Sequence, residues 1–104
     1  MSLLPNLRMF IKDLYVGQGK VEIEADVVEI SPIREFNKFE KIGRVANAKI
    51  KDESGTITLI LWNDEIDKVK VGAKVKITNG YVSEWQGEKQ VSAGRYGQME
   101  VVNS

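Results

Sequence analysis

Three aromatic side chains lie among polar neighbours and are the residues best suited to bind a ligand. Trp62 ends an alternating segment, residues 56–62, on the face opposite to its main aliphatic set. Trp85 lies within the polar segment 83–87, and Tyr81 precedes it by four positions. Exposed rings can stack on nucleic-acid bases, at roughly 1–3 kcal/mol per base. The structural alternative is that Trp62 plugs one end of the core and that Tyr81 buries its ring.

Basic residues accompany these rings in the segment 31–44. Arginine and lysine pair with phosphates, and arginine also lies flat on a base, so cations interleaved with aromatic residues are typical of a loop that closes over a nucleic-acid strand. The candidates in this segment are Arg34, Phe36, Lys38, Lys41 and Arg44. Phe39 lies in the same segment, and we expect one phenylalanine to anchor the loop and the other to face the ligand.

Two further pairs of polar residues extend this candidate surface. Alternation places Asn47 and Lys49 on the non-core face of the strand that pairs with the Trp62 strand, which predicts Lys49 beside Trp62 as a phosphate contact next to a stacking platform. Lys89 and Arg95 flank the last main strand and complete a basic rim. The alternative for each of these cations is an ordinary solvated surface charge.

The overall composition limits the chemistry that these residues can perform. Among 104 residues, 15 basic side chains balance 15 acidic ones, so nucleic acid can bind only where positive charge is concentrated on one face. The chain has neither cysteine nor histidine, which removes the usual zinc ligands and general bases. We therefore predict no cofactor, no metal site and no catalysis. No apolar run is long enough to cross a membrane, and the lack of cysteine fits a cytoplasmic setting.

Acidic residues are concentrated away from the candidate surface. The outer face of the first predicted strand carries Glu22, Glu24 and Asp26. A second basic cluster, predicted to be solvated on another side, comprises Lys68, Lys70, Lys74 and Lys76. Such separation would allow a chain without net charge to bind a polyanion.

The elements that must position these residues are mainly strands. Period-two alternation predicts a strand at residues 20–30, with a bulge at Val28, and a hairpin over residues 43–63 that turns at the Asp-Glu-Ser-Gly run 52–55. Residues 74–82 and 89–93 supply two more strands, and residues 99–102 extend the last one. Five strands with short turns predict an all-β domain built as a small barrel.

The remaining segments are predicted to be loops and short helices. Polar composition predicts a loop at residues 31–42 and a hairpin loop at residues 83–88. Apolar residues at helical spacing predict a short helix at residues 7–14, which covers one end of the barrel. Residues 64–71 are predicted to form a short helix or a single turn between the third and fourth strands.

The hairpin motif resembles a known protein family. Residues 45–64 contain Asp-Glu-Ser-Gly, continue with alternating aliphatic residues and end in Leu-Trp-Asn-Asp, as in archaeal replication protein A and archaeal single-stranded-DNA-binding proteins. Segments 30–36 and 71–81 resemble the same family. The resemblance implies a five-stranded Greek-key oligonucleotide/oligosaccharide-binding (OB) barrel, single-stranded DNA as ligand and no enzymatic activity. It also implies base stacking at Trp62 and Tyr81, with Trp85 nearby.

These observations together predict largely sequence-independent binding of single-stranded DNA in replication, recombination or repair. Residues 1–104 are expected to form one OB domain, in which residues 1–3 could be a vector-derived remnant of cloning. Two alternatives stay open. The domain could be a protein-interaction module of a replication or repair complex, with Tyr81 and Trp85 as anchors. It could also bind RNA, including tRNA, because the same rings stack on either nucleic acid.

Overall fold

The computed structural model describes residues 9–38, 41–94 and 97–102, without the side chains of Lys38 and Lys41. A 3-10 turn, Ile11–Asp13, precedes the first strand and is called the N-terminal turn below. The strands are β1 (Val21–Ile30), β2 (Arg34–Lys38), β3 (Lys41–Asp52), β4 (Gly55–Trp62), β5 (Lys74–Trp85), β6 (Glu88–Ser92) and β7 (Gln98–Val102). A short helix, α1 (Asp64–Lys68), separates β4 from β5.

Five of the strands close a barrel, as the sequence predicts. They follow the order β1-β3-β4-β6-β5, and pairing between β5 and β1 completes the circle. All these pairings are antiparallel except that of β4 with β6, which is parallel and joins Thr58 to Gln90 and Leu59 to Val91. Within the described residues, β2 extends the sheet beside β3, and β7 pairs with the first half of β5.

Aliphatic side chains fill the interior of the barrel. Ile23, Ile50, Leu59, Leu61 and Ile77 are fully buried, and no polar residue is buried in the part of the chain that the structure describes. Burying one such side chain contributes about 1.5–3 kcal/mol to folding. Successive residues of a strand point to opposite faces. The residues of β3 and β4 that alternate with the buried ones therefore lie on the outer surface.

Three local predictions are confirmed by the strand pairings. The β3–β4 hairpin turns at the predicted run, with Asp52 opposite Gly55. The β1–β3 register shifts between Val27 and Glu29, which places the predicted bulge at Val28. The single helix between β4 and β5 buries Ile66, as expected for a short element that packs against the barrel.

Four other predictions are wrong in detail. Residues 31–42 are not a continuous loop, because β2 and the start of β3 form a hairpin there. The connection predicted as a loop over residues 83–88 is a two-residue turn, because β5 continues to Trp85 and β6 begins at Glu88. Residues 98–102 do not extend β6 but form β7, which pairs with β5. The described part of the predicted helix 7–14 is a 3-10 turn, although it does cover the core with Ile11 and Leu14.

Candidate nucleic-acid interface

The outer face of the β3–β4 hairpin forms the floor of a groove. The register places Val45 opposite Trp62 and Asn47 opposite Ile60, and all four side chains point away from the core. We call the groove above them the aromatic groove. It encloses about 210 Å³, and its lining consists of Arg34, Val45, Asn47, Ile60, Trp62, Trp85 and Gln90.

Trp62 lies at one end of the groove with its ring in a fixed orientation. The ring is 42% exposed and meets Phe36 edge-on, with 5.7 Å between the ring centroids and 86° between their planes. Phe36 pairs with Gly43 across the β2–β3 ladder. A side chain at Gly43 would overlap the Phe36 ring, so glycine at this position leaves room for that ring at the edge of Trp62. Phe36 is 36% exposed, while Phe39 lies outside the described residues, so the choice of the phenylalanine that faces the ligand stays a prediction.

Trp85 forms the opposite wall of the groove. It is the last residue of β5, and it pairs with Glu88 across a two-residue turn. Gln86 and Gly87 both adopt positive φ angles, 52° and 81°, which is the conformation that type I′ turns require. The turn leaves the Trp85 side chain 56% exposed beside the groove. Trp62 and Trp85 thus line one groove, although α1 and β5 lie between them in the chain.

The backbone that carries Trp62 is held from below by α1. The Trp62 amide donates to Glu65 Oε1 at 2.9 Å. Asn63 then adopts a left-handed φ of 52°, a conformation that is strained for a residue with a side chain. The amide of Arg44 donates to Asn63 Oδ1 at 3.0 Å, which stabilises that conformation. These contacts fix the direction in which β4 ends and hence the position of the Trp62 ring.

Arg44 belongs to this support and does not line the groove. Its guanidinium forms an ion pair with Asp67 at 2.9 Å and also donates to the Asn63 carbonyl. The hydrogen bond and charge of Asp67 raise the pKa of Arg44, and the same contact with Arg44 lowers the pKa of Asp67. The proposed phosphate contact of Arg44 stays a prediction, but the structure gives its guanidinium a carboxylate partner.

Arg34 is the cation in the lining of the aromatic groove. It pairs with Val45 in the β2–β3 ladder, lines the aromatic groove and donates to Asn47 Oδ1 at 3.4 Å. The expectation that Lys49 lies beside Trp62 is wrong. Lys49 is opposite Thr58, four residues before Trp62, which at roughly 3.4 Å per residue places it about 14 Å farther along the hairpin.

The other predicted site residues lie at the margin or outside the described part. Tyr81 is 50% exposed on the outer face of β5, opposite Ser92, and does not line the aromatic groove. Lys89 donates its ammonium to the Leu14 carbonyl at 2.8 Å, at the end of the barrel that the N-terminal turn covers. Lys38 and Lys41 pair with each other through the backbone of the β2–β3 hairpin. Arg95 lies outside the described residues.

Sequence reasoning missed three lining residues. Alternation places Val45 and Ile60 on the non-core face. Both could have been predicted as lining residues if every residue on that face had been counted as part of the site. Gln90 enters the groove through the parallel pairing of β6 with β4, for which the sequence holds no local signal. These residues supply an apolar floor and one amide between the two tryptophans.

The arrangement is suited to binding a flat ligand. Two exposed indole rings, an apolar floor, two amides and one guanidinium can stack on rings and hold them with a few hydrogen bonds. In the part of the chain that the structure describes, no three acidic, cysteine or histidine side chains are placed to share a metal ion. Across those same residues, no helix has the length and apolar character needed to cross a membrane.

Comparison with known proteins identifies the family. The single-stranded DNA binding protein Ssb of Saccharolobus solfataricus is 30% identical over 84 residues, which cover 81% of this chain and 57% of Ssb. Replication factor A of Methanothermobacter thermautotrophicus is 29% identical over 77 residues, 73% of this chain but 10% of that protein. The chain thus spans little more than half of the first relative, and neither name describes an enzyme.

Similarity in three dimensions agrees with the sequence matches. A domain of replication protein A from Methanococcus maripaludis superposes with a TM-score of 0.76 at 27% identity, over 94% of this chain and 98% of that domain. The family model described as the OB-fold nucleic acid binding domain, which is named for the tRNA anti-codon, matches residues 21–99. The predicted OB barrel and the predicted resemblance are both confirmed, and the chain belongs to the OB-fold nucleic acid binding domain family.

Proposed function

We propose that this domain binds single-stranded DNA in the aromatic groove, with little preference for sequence. The observation that carries the proposal is the pair of exposed tryptophans, Trp62 and Trp85, which face one groove on the outside of a barrel whose core is complete without them. Each base stacked on such a ring contributes roughly 1–3 kcal/mol. Duplex DNA does not present base faces, so the groove favours an unpaired strand.

The polar lining of the groove supports tolerance for sequence. Reading a base requires directional hydrogen bonds to its edge, and Arg34 and Asn47 already bond to each other. Stacking accepts every base because every base has a flat face. Arg34 at the rim supplies positive charge for a phosphate, and Gln90 adds one amide that can adjust to different bases.

The proposal extends to the setting in which the domain acts. The name of Ssb, single-stranded DNA binding protein, describes the same ligand for a relative at 30% identity. We infer a role in replication, recombination or repair, in the cytoplasm, together with other proteins of those processes. We also infer that residues 1–104 act as one binding domain and catalyse no reaction, since the chain lacks histidine and cysteine.

A fluorescence titration tests the ligand. Adding oligothymidylate should quench the emission of Trp62 and Trp85, and the affinity should fall with salt at a slope of about −0.7 per phosphate contacted. Absence of quenching at low salt would contradict the proposal. A competition between DNA and RNA oligomers of matched sequence separates the two nucleic acids, because only RNA offers a 2′-hydroxyl.

The same titration distinguishes a binding domain from a protein-interaction module. Trp62→Ala should weaken binding of the oligomer if the aromatic groove is the nucleic-acid site. If the domain served only to bind a protein, Trp62→Ala would leave assembly with that partner unchanged, Trp85→Ala would disrupt it, and neither variant would change binding of DNA.

A further inference from the structure

A second groove lies beside the aromatic groove, at the place where β4 and β6 separate. The two strands are paired at Thr58 and Leu59 and diverge toward the β3–β4 turn. The N-terminal turn packs into this opening and forms its third side. The resulting space encloses about 420 Å³, and its lining consists of Ile11, Lys12, Lys49, Gly55, Thr56, Ile57, Thr58, Glu88 and Lys89. We call it the lysine groove.

Three lysines from three separate elements line this groove. Lys12 comes from the N-terminal turn, Lys49 from β3 and Lys89 from β6. One carboxylate, that of Glu88, lines the groove with them. In a chain of zero net charge, this excess of cations around one concave surface is the local concentration that binding of a polyanion requires.

The N-terminal turn that carries Lys12 is fixed to the barrel. The amide of Ile11 donates to Asp52 Oδ2 at 2.9 Å, and the amide of Lys12 donates to Ser54 Oγ at 3.1 Å. Lys89 donates its ammonium to the Leu14 carbonyl, just beyond the turn, at 2.8 Å. The backbone of the N-terminal turn and that of Leu14 are therefore held against the barrel, and the Lys12 side chain extends from this fixed backbone.

Few close ion pairs neutralise the lysines of the groove. The ammonium of Lys49 is 3.9 Å from Glu29, at the outer limit of an ion pair, and the Lys49 side chain is 53% exposed. Lys89 lies opposite Glu84 in the β5–β6 ladder, but neither Lys89 nor Lys12 forms a close ion pair with any described residue. The threonine hydroxyls of Thr56 and Thr58 add donors on the floor between the lysines.

The two grooves follow each other along one hairpin. Thr58 and Lys49 form the residue pair next to Ile60 and Asn47 on the outer face, so the floor of the aromatic groove continues into the lysine groove. Aromatic rings are present in the first groove and absent from the lining of the second. A strand whose bases stack in the first groove would thus carry its next phosphates across the second.

We propose that the lysine groove is a phosphate subsite for the part of a single strand that extends beyond the aromatic groove, and that Lys12 is one of its contacts. The inference rests on the proposed function. It assigns the N-terminal turn, which lies before the barrel, a direct part in binding, and it makes the affinity depend on the length of the strand.

Salt titrations with strands of two lengths test this subsite. Oligothymidylates of about four and about twelve nucleotides represent the lower end and the upper half of the range of site sizes for OB folds, about 4–16 nucleotides. Lys12→Ala should reduce the salt slope for the longer strand by about 0.7, so the ratio of affinities at about 50 and about 200 mM salt falls about 2.6-fold. The same variant should leave binding of the short strand unchanged.

Lys70→Ala is the matched control, because Lys70 is an exposed lysine on the loop after α1 and lines neither groove. The Lys12 side chain forms no ion pair with a described residue, and the backbone hydrogen bonds of the turn remain available, so the variant should fold normally. If Lys12→Ala matched Lys70→Ala for both lengths, or weakened both lengths equally, the subsite would be disproved. If the wild-type domain bound neither strand, the proposed function itself would fail.

Discussion

The two sides of the barrel use the same cross-strand pairing to place opposite kinds of side chain. On the β1–β5–β7 side, charges alternate from strand to strand, with Glu24 opposite Lys76 and Lys76 opposite Glu100. On the β3–β4 side, the outward positions hold Trp62 and Ile60. We call the first side the charged face.

A second ladder repeats the pattern of the charged face. Asp26 lies opposite Lys51 of β3 and also opposite Lys74 of β5. Opposite charges in such solvent-facing positions contribute at the low end of the range of about 0.2–1 kcal/mol per pair. Two of the acidic residues predicted to lie away from the ligand surface, Glu24 and Asp26, therefore face two lysines of the second basic cluster, Lys76 and Lys74.

The difference between the faces explains how a chain without net charge can suit a polyanion. Charges on the charged face are matched locally, so they cancel both in the total and in the field around the molecule. On the aromatic side, Arg34 lies opposite Val45 and Lys12 belongs to the N-terminal turn, so neither has a ladder partner of opposite charge. Lys49 and Lys89 do have such partners, Glu29 and Glu84. Net charge alone is therefore a poor guide to the ligand of this domain.

Replacing Trp62 by alanine should have the largest effect on binding. The loss of one stacking ring should weaken binding of oligothymidylate by about 1–3 kcal/mol, or roughly 5- to 150-fold. Trp62→Phe keeps a flat ring and should retain part of that affinity. Anisotropy of a labelled oligomer measures both variants, and equal affinity for wild type and Trp62→Ala would remove the aromatic groove as the binding site.

Asp52 and Asp26 should contribute differently to the free energy of unfolding. Asp52 accepts hydrogen bonds from the amides of Ile11, Ser54 and Gly55 and from the Ser54 hydroxyl, whereas Asp26 faces lysines across the charged face. Asp52→Asn should lower the free energy of unfolding by about 1–2 kcal/mol, since a hydrogen bond to a charged group is lost. Asp26→Asn should change it by about 0.5 kcal/mol or less. Urea denaturation at neutral pH measures both.

The contribution of Asp52 to the free energy of unfolding should decrease in acid. Burial raises the pKa of Asp52, but the hydrogen bonds from Ser54, Ile11 and Gly55 together lower it below the ordinary value. A lowered pKa in the folded state means that the stabilisation is complete above the unfolded pKa of about 3.9 and is lost as the pH falls below it. The stability difference between wild type and Asp52→Asn should therefore shrink in acid. A difference that grew below this pH would contradict the assigned contacts.

Gly43→Ala should weaken binding without removing any group that touches the ligand. The added methyl group displaces the Phe36 ring, and Trp62 loses an edge contact worth about 0.5–1.5 kcal/mol, so affinity should fall roughly 2- to 10-fold. Phe36→Ala should produce a similar loss. Combining the two changes should add little, because both act through the same contact, and full additivity would show that they act separately.

Substitution on the charged face should have the smallest effect. Lys76→Ala should change stability by about 0.5 kcal/mol or less and leave both the affinity and the salt slope unchanged. Arg34→Ala, on the aromatic side, should reduce the salt slope by about 0.7. If Lys76→Ala reduced the slope as much as Arg34→Ala, the distinction between the two faces would be lost.

Alternation within single strands was enough to predict the outward face of the hairpin. The aliphatic residues of β4 identify its core side, and the turn at Asp52 fixes the partner strand, so Trp62 and Asn47 could be placed on one surface. The bulge at Val28 also follows from a local break in the pattern. The barrel itself required the resemblance, because five alternating strands are compatible with several small folds.

Contacts between distant segments could not be predicted in the same way. β2 carries charged and amide residues with no apolar alternation, because it extends the sheet without covering the core, and it therefore resembles a loop in sequence. The ion pair of Arg44 with Asp67 joins residues 23 positions apart through the direction in which α1 packs. Gln90 reaches the groove through a parallel pairing, and only the closed barrel determines that pairing.

The turn after Trp85 has a consequence for the way a strand enters the aromatic groove. A connection of only Gln86 and Gly87 between two paired strands has little spare length, so we expect the wall that bears Trp85 to keep its position when a strand enters. Entry then needs no gating motion on this side. Association should proceed at a rate governed by diffusion and ionic attraction, and differences among oligomers should emerge mainly in how long each one stays bound.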